Sequence, residues 1–129
     1  MVGLNDPAWL ERLRKNVNSD TELGIIGTHF NAVISITVDD VRRDLHVAKG
    51  QIVDIVDVFR IDTRADFGFR APAQVWERFM QSPPPALYQN VFSMIMRVPE
   101  FQLEGDTMVL AQNARSVQRM MEVVQETGR

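Results

Sequence analysis

The hydrophobic pattern between Phe30 and Phe59 has a period of two, and this feature constrains the fold more than any other. Such alternation predicts strands with one apolar face and one mainly polar face. Asp39-Asp40 and Lys49-Gly50 are typical of tight turns, so the segment divides into three strands of an antiparallel meander. The apolar positions of the first strand are Phe30, Ala32, Ile34, Ile36 and Val38. An apolar sheet face needs a cover, which the rest of the chain must supply.

Two further strands are predicted in the second half of the chain. One runs from Arg64 to Arg70 and carries Phe67 and Phe69 on one face, and the other is the short segment 101–104. The intervening segments have helical spacing, and the sequence contains no internal repeat. The order is therefore a helix, a meander, and then helices with one late strand. This segregation predicts an α+β fold with the helices packed on one face of the sheet.

Capping signals mark where the N-terminal helices begin. Asp6 can cap the first amides of a helix, and Pro7 fits its first turn. The apolar residues of this helix recur at helical spacing, at Trp9, Leu10, Leu13 and Val17. Asp20 predicts a short second helix through Leu23, which Gly24 and Gly27 are expected to break.

The helices of the second half are separated by proline and glycine. Pro72 opens one helix, and the segment 82–85, which contains three successive prolines, ends it. A helix is predicted over 86–97. Asp106, which follows Gly105, caps a long final helix.

Length, charge and composition exclude several classes of function. The chain has 129 residues, which predicts a single domain over 1–129, and the absence of cysteine excludes disulfides and thiolate metal sites. The net charge of −3 and the pI of 5.3 argue against a nucleic-acid partner. The apolar runs are too short for a membrane span, so stable membrane insertion is not expected. The default expectation is a cytoplasmic protein.

The histidines provide a first candidate for polar chemistry. Strand alternation places Asp44 and His46 on one face, and His29 precedes the neighbouring strand. A metal site or an acid/base pair would need these side chains to converge. The alternative is that both histidines lie on a solvent-exposed face beside Arg42. No catalytic residue, metal site or cofactor is assigned.

Methionine and aromatic residues are concentrated in the second half. Apart from Met1, all the methionines follow position 79. Flexible thioethers suit surfaces that accept varied apolar partners, so the same residues fit either an ordinary helical core or a ligand cavity. Asn113 lies on the apolar face of the final helix, where its amide requires a partner: a ligand group, a backbone carbonyl or water.

The segment Ala65-Asp66-Phe67-Gly68-Phe69, with the following helix that contains Val75, Trp76, Phe79 and Met80, resembles the sterol carrier protein type-2 domain. That family continues with a strand that ends in Gly-Asp and leads into a long helix, as at 101–111. The first half agrees in the order of its elements. Two segments depart from the family pattern, namely Arg97-Val98-Pro99-Glu100 in place of a Gly-Lys turn, and the run of prolines at 83–85.

The resemblance implies a twisted, mainly antiparallel sheet of about five strands, with helices on one face that enclose an apolar cavity. Relatives bind sterols, fatty acids or fatty acyl-coenzyme A, or act as accessory domains of larger enzymes. The leading hypothesis is non-catalytic carriage of such an apolar ligand. The expected ligand-binding residues are Phe67, Phe69, Trp76, Phe79, Met80, Phe92, Met94, Ile95, Met96, Met108, Asn113, Met120 and Met121.

Two other functions stay open at this point. A small enzyme could act on an apolar substrate in the same pocket, using His29, Asp44 and His46, or Asp66 and Asn113. Alternatively, an apolar groove could receive a partner helix or form a homodimer.

Overall fold

The computed structural model describes residues 3–57 and 64–127, which form helices around one five-stranded sheet. The strands are β1 (Ala32–Val38), β2 (Val41–Ala48), β3 (Gln51–Asp57), β4 (Phe67–Ala71) and β5 (Gln102–Gly105). The helices are α1 (Pro7–Asn18), α2 (Thr21–Ile26), α3 (Ala73–Phe79), α4 (Val91–Arg97), α5 (Thr107–Gln112) and α6 (Ala114–Thr127).

The strands lie in the order β3-β2-β1-β4-β5. Three of the four pairings are antiparallel, and the fourth, between β1 and β4, is parallel. The predicted α+β class, with a mainly antiparallel sheet of five strands and helices on one face, is therefore confirmed.

The meander forms as its alternation predicts. β2 has the predicted bounds, and β1 begins at Ala32, two residues later than expected. Lys49 and Gly50 both have positive φ, 53° and 75°, as a two-residue turn between twisted antiparallel strands requires. The predicted end of the third strand, Val58 and Phe59, lies outside the described residues.

β4 lies in parallel beside β1, with Ile34 opposite Phe67 and Ser35 opposite Gly68. A Cβ atom at position 68 would lie 1.7 Å from the Ser35 hydroxyl oxygen and 2.7 Å from the Ser35 carbonyl oxygen. Only glycine permits this approach of the two strands.

The two faces of the sheet differ in chemistry. One face carries large apolar side chains that are nearly inaccessible to solvent, among them Ile34, Ile36, Leu45, Phe67 and Phe69. The helices pack on this face. The opposite face carries Ser35, Thr37 and Asp44, which are also buried, and Arg42 binds the Asp44 carboxylate at 2.8 and 3.1 Å.

Helix α1 packs along the edge strand β3 as well as on α6. The Asn18 side chain accepts a hydrogen bond from the Ile52 amide at 2.7 Å and donates one to the Ile52 carbonyl at 3.0 Å. Arg14 donates to the Val53 carbonyl at 2.9 Å. Side chains of α1 therefore satisfy backbone groups that an edge strand leaves unpaired.

Three of the helix predictions need correction. Gly24 lies inside α2, which continues to Ile26 and is capped by Gly27. The helix predicted over 86–97 begins only at Val91, because Leu87 has φ of 77° and the Asn90 side chain caps the Ser93 amide at 2.9 Å. The long final helix is divided at Asn113 into α5 and α6.

Helix α6 lies in the centre of the helical layer and contacts α1, α2, α4 and α5. Its buried face includes Val117, Met120, Met121 and Val124, each exposed by 2% or less. Across residues 3–57 and 64–127, no helix combines the length and apolar content that crossing a membrane would require.

Candidate ligand-binding site

The candidate site is the apolar layer between the sheet and helices α3, α4 and α6. Its floor is β4, where Phe67 and Phe69 share one face, as alternation predicts, and the structure shows that this face meets the helices. The Phe69 ring stacks on Phe101 at 5.5 Å, and Trp76 lies edge-on to Phe101 at 5.3 Å and to Phe79 at 6.0 Å. These contacts join β4, α3 and the residue just before β5 into one aromatic cluster, which we call the aromatic floor.

Two buried hydrogen bonds fix α3 relative to its neighbours. The Trp76 indole N–H donates to the Thr37 carbonyl of β1 at 3.0 Å. The Gln125 side chain of α6 donates to the Phe79 carbonyl at 2.8 Å. Because unpaired polar groups are costly in an apolar interior, each bond favours one position of α3. The role of Gln125 has no signal in the sequence, since its partner is a backbone atom 46 residues away.

Four buried methionines belong to the same hydrophobic core as the aromatic floor. Met80, at the end of α3, is 6% exposed, and Met94 of α4 is 0% exposed. Met120 and Met121 of α6 are 1% and 2% exposed. Four methionines on three elements therefore belong to the same buried layer. Methionine side chains can adopt several shapes at little cost, so this half of the layer can adjust more readily than the aromatic half.

The remaining apolar candidates occupy different positions. Phe92 and Ile95 of α4 are half-buried and pack against the core. Met96 and Met108 are 82% and 63% exposed, so their inclusion among the residues of an internal cavity needs correction. Met96 points outward because α4 buries Val91 and Met94, and α5 buries Leu110 rather than Met108.

Asn113 satisfies its amide within its own helix. Its side-chain N–H donates to the Val109 carbonyl at 2.9 Å, so a backbone carbonyl is the partner. The residue marks the break between α5 and α6, and it lies at the surface in a depression of about 320 Å³. We call this the α6 depression, and it is lined by Ile26, His29, Phe30, Gln112, Asn113, Arg115 and Ser116.

The structure does not bring the histidines together. His29 lines the α6 depression, on the side of the helices, whereas Asp44 and His46 belong to the opposite face of the sheet. Asp44 is bound by Arg42, and the Asp66 carboxylate accepts a hydrogen bond from the Val33 amide at 2.7 Å. Among the described residues, no group of three or more histidine and acidic side chains is arranged to hold a metal ion.

Arg119 is a second residue whose role the sequence does not reveal. Its guanidinium binds both carboxylate oxygens of Asp20, at 2.6 and 3.1 Å, and also contacts Glu22, Glu122 and Glu126. The hydrogen bonds from Arg119 hold the pKa of Asp20 below its usual value, and those to Asp20 raise the pKa of Arg119. This cluster fixes the start of α2 to α6, beside the α6 depression.

The fold and the position of the apolar layer define a class of protein. A mainly antiparallel five-stranded sheet with one parallel pair, covered on one face by helices, is the α+β fold of sterol carrier protein 2. No protein-family model matches the chain, and neither does any curated protein. The likeness therefore rests on solved structures.

Two solved structures share the fold at a TM-score of 0.73. One is a crystal structure of sterol carrier protein 2, 18% identical, with 92% of this chain and 95% of the other covered. The second is the solution structure of a conserved hypothetical protein of Thermus thermophilus, whose description suggests a sterol carrier protein. It is 19% identical, with 98% of this chain and 91% of the other covered. A ubiquinone synthesis protein, UbiJ-SCP2, matches with a TM-score of 0.57 at 15% identity, covering 87% and 88%. At these identities the likeness establishes the fold.

Proposed function

We propose that the protein binds an apolar small molecule reversibly, in the layer between the aromatic floor and the methionines of α4 and α6. The observation that carries the proposal is that Met94 of α4 and Met120 and Met121 of α6 are all buried in the core, on two helices that contact each other. Side chains with well-defined rotamers favour a rigid core, whereas flexible side chains such as methionine favour a core that can rearrange to accept a ligand. The shared sterol carrier fold supports the same function.

Binding requires the layer to open. Its side chains are packed, since Trp76, Phe79 and Met94 are each exposed by 1% or less. A ligand must therefore displace the thioethers or shift a helix, which costs packing energy. The gain is the ligand's own apolar surface, which contributes about 25 cal/mol for each Å² removed from water. The ligand must be large and apolar for the gain to exceed the cost, as a sterol, a fatty acyl chain or an isoprenoid quinone is.

The first experiment identifies the ligand class. Native mass spectrometry of the purified protein, with solvent extraction of bound material, tests for a co-purified ligand. Titration with a sterol, a fatty acid, a fatty acyl-coenzyme A and ubiquinone then tests each class directly; ubiquinone is included because of the fold shared with UbiJ-SCP2. We expect one class to bind with one-to-one stoichiometry. If nothing co-purifies and no member of the panel binds, the proposal is wrong.

A substitution locates the ligand. Met120→Trp places a bulky ring in the layer and should reduce affinity at least tenfold, while overpacking costs about 1–3 kcal/mol of stability. Met96→Trp is the matched control, because Met96 is 82% exposed on α4 and should leave affinity unchanged. Circular dichroism checks that both variants are folded. Unchanged binding by folded Met120→Trp would show that the ligand lies elsewhere.

A further inference from the structure

The sheet face opposite the helices carries a small pocket that the proposed function does not use. We call it the polar-face pocket, and its volume is about 230 Å³. Three of its lining residues are arginines and one is acidic, although the whole chain carries a net charge of −3. Drug-sized ligands occupy larger pockets, of about 300–1,000 Å³, so the size of this pocket suits a compact anionic group. The residues that form its polar part are Ser35, Arg42, Arg64, Gly68, Arg70 and Glu104.

Two neighbouring rows of residues cross the sheet at this pocket. One row places Ser35 of β1 beside Gly68 of β4. The next row places Thr37 of β1 between Arg42 and Arg70. The Cα atoms of these two arginines are separated by two strand spacings, about 10 Å. Only short side chains lie between them, so the pocket is open in the middle and has one arginine on each side.

The ion pairs beside the pocket leave Arg70 and Arg64 accessible to a ligand. Arg42 is held by the buried carboxylate of Asp44, at 2.8 and 3.1 Å, so its charge is largely neutralised and its side chain forms a fixed wall. Arg70 pairs with Glu104 at 2.9 Å, and these two side chains are 46% and 45% exposed. An ion pair this exposed contributes little to stability, so an incoming anion can replace Glu104 at low cost. Arg64 is exposed and forms no ion pair with another described residue.

Two buried hydroxyl groups belong to the same two rows. A Cβ atom at position 68 would lie 1.7 Å from Ser35 Oγ, so this hydroxyl lies directly against Gly68 in the lining of the pocket. Thr37 is 2% exposed, and its hydroxyl has no hydrogen-bond partner in the part of the chain that the structure describes. Because buried polar groups are normally paired, this hydroxyl favours a bond to a group from outside the chain. Hydroxyl and guanidinium donors therefore surround one small volume.

We propose that the polar-face pocket binds a phosphate group, either free or as the ester of a small polar molecule. A phosphate group presents at least three acceptor oxygens in different directions, whereas a carboxylate presents two in one plane, so the phosphate can use donors from the floor and from the walls together. Arg70 and Arg64 are the recognition residues, because guanidinium groups bind phosphate through paired hydrogen bonds. The inference goes beyond the proposed function, since the sheet separates this pocket from the apolar layer.

The test is an NMR titration of the protein at about pH 7.5 with sodium phosphate, glycerol 3-phosphate and sodium acetate, at matched ionic strength. We expect both phosphates to shift the backbone amide signals of Ser35, Gly68 and Gly105, and to bind about tenfold more tightly than acetate. The tighter of the two phosphates shows whether the natural ligand is free phosphate or an ester. The inference is wrong if millimolar phosphate shifts none of these signals, or if acetate binds as tightly as phosphate.

Three variants assign the binding to the pocket. Arg70→Gln should weaken the binding of phosphate about tenfold, because one charge-assisted interaction is lost. Glu104→Gln should strengthen it about threefold, because it removes the carboxylate that competes for Arg70. Arg97→Gln is the matched control, since it removes an equal charge from the exposed end of α4, and it should change the affinity by less than about twofold.

The outcomes of these variants separate a specific site from a general effect of charge. An equal loss in Arg97→Gln and Arg70→Gln would overturn the inference, because binding would then reflect the net charge of the protein. Weaker binding by Glu104→Gln would also overturn it. Circular dichroism checks that each variant is folded. None of these results bears on the apolar ligand, whose binding is measured separately, so the two proposals can fail independently.

Discussion

Asp20 joins two structural roles in one carboxylate, and its replacement tests how the helical layer is held together. Its side chain caps α2 by accepting a hydrogen bond from the Leu23 amide at 3.0 Å. The same carboxylate binds the Arg119 guanidinium through two hydrogen bonds. Relative exposures of 12% for Asp20 and 20% for Arg119 show that the pair is largely shielded from water. The ion pair therefore contributes more to the stability of the folded protein than an ordinary surface ion pair does.

The expected magnitude follows from the two roles. Loss of an N-cap costs about 1 kcal/mol of stability. Loss of an ion pair with two hydrogen bonds costs about 1.5–3 kcal/mol, and we use the lower end of this range because the Asp20–Arg119 pair is still partly accessible to water. Asp20→Ala should therefore destabilise the protein by about 2–3 kcal/mol. Asp20→Asn keeps a capping oxygen but loses the charge, and should cost about 1–2 kcal/mol.

Two control variants separate these contributions. Asp6 caps α1 through the Ala8 amide at 3.0 Å and is exposed, so Asp6→Ala should cost about 1 kcal/mol, the value of a cap alone. Glu22 contacts Arg119 at 3.4 Å but is half exposed, so Glu22→Gln should change stability by no more than about 0.5 kcal/mol.

The dependence on pH provides an independent check. Because Arg119 holds the pKa of Asp20 below its usual value, the unfolded state binds more protons between the two pKa values, and stability rises with pH in that window. The contribution is complete above the unfolded value of about 3.9, and it is lost as pH falls through the lower folded value. The stability difference between wild type and Asp20→Asn should therefore be constant from pH 7 to about pH 5 and shrink below pH 4.

Urea unfolding followed by circular dichroism at pH 7, 5 and 3 measures these differences. The reasoning is refuted if Asp20→Asn is no less stable than Glu22→Gln at pH 7. It is also refuted if the difference between wild type and Asp20→Asn is as large at pH 3 as at pH 7.

Two further substitutions test the packing of the sheet and of the aromatic floor. Gly68→Ala should destabilise the protein by about 3 kcal/mol or more, because its Cβ would lie 2.7 Å from the Ser35 carbonyl oxygen. Gly24→Ala is the control: a Cβ there has no atom within 4 Å, so the change should be neutral or stabilise α2 by up to about 1 kcal/mol. Thermal unfolding of both variants checks this contrast, and equal effects would contradict it. Trp76→Phe should lower the free energy of unfolding by about 2–3 kcal/mol, because it removes the hydrogen bond to the Thr37 carbonyl and leaves a gap beside Phe101. A loss below about 0.5 kcal/mol in urea unfolding would show that the indole N–H does not contribute to stability.

The elements that depend on local signals could be predicted from the sequence. The meander follows from alternation and from turns such as Lys49-Gly50, and α1 follows from Asp6 and Pro7. Phe67 and Phe69 share the buried face for the same reason. The parallel pairing of β4 with β1 could not be predicted, because it depends on contacts between segments that are distant in the chain.

The candidate site was predictable in its composition but not in its boundaries. Met120 and Met121 are buried as their helical spacing indicates, whereas Met96 is exposed because α4 turns the face of Val91 and Met94 toward the core. The α6 depression had only a partial signal, in the polar Asn113 on an apolar helix face. The pairing of Arg119 with Asp20 joins residues 99 positions apart, and nothing local to either one specifies it.

The contact between α1 and β3 has a consequence for how the chain must be handled. Asn18 and Arg14 occupy backbone groups on the outer edge of β3, so another strand cannot pair there while α1 is in place. A shortened variant that lacks α1 would present this edge, together with the exposed Val53, as a template for intermolecular strand addition. Helix α1 thus protects the edge strand β3 from pairing with other molecules. A purification tag that disturbs α1 is therefore expected to cause aggregation.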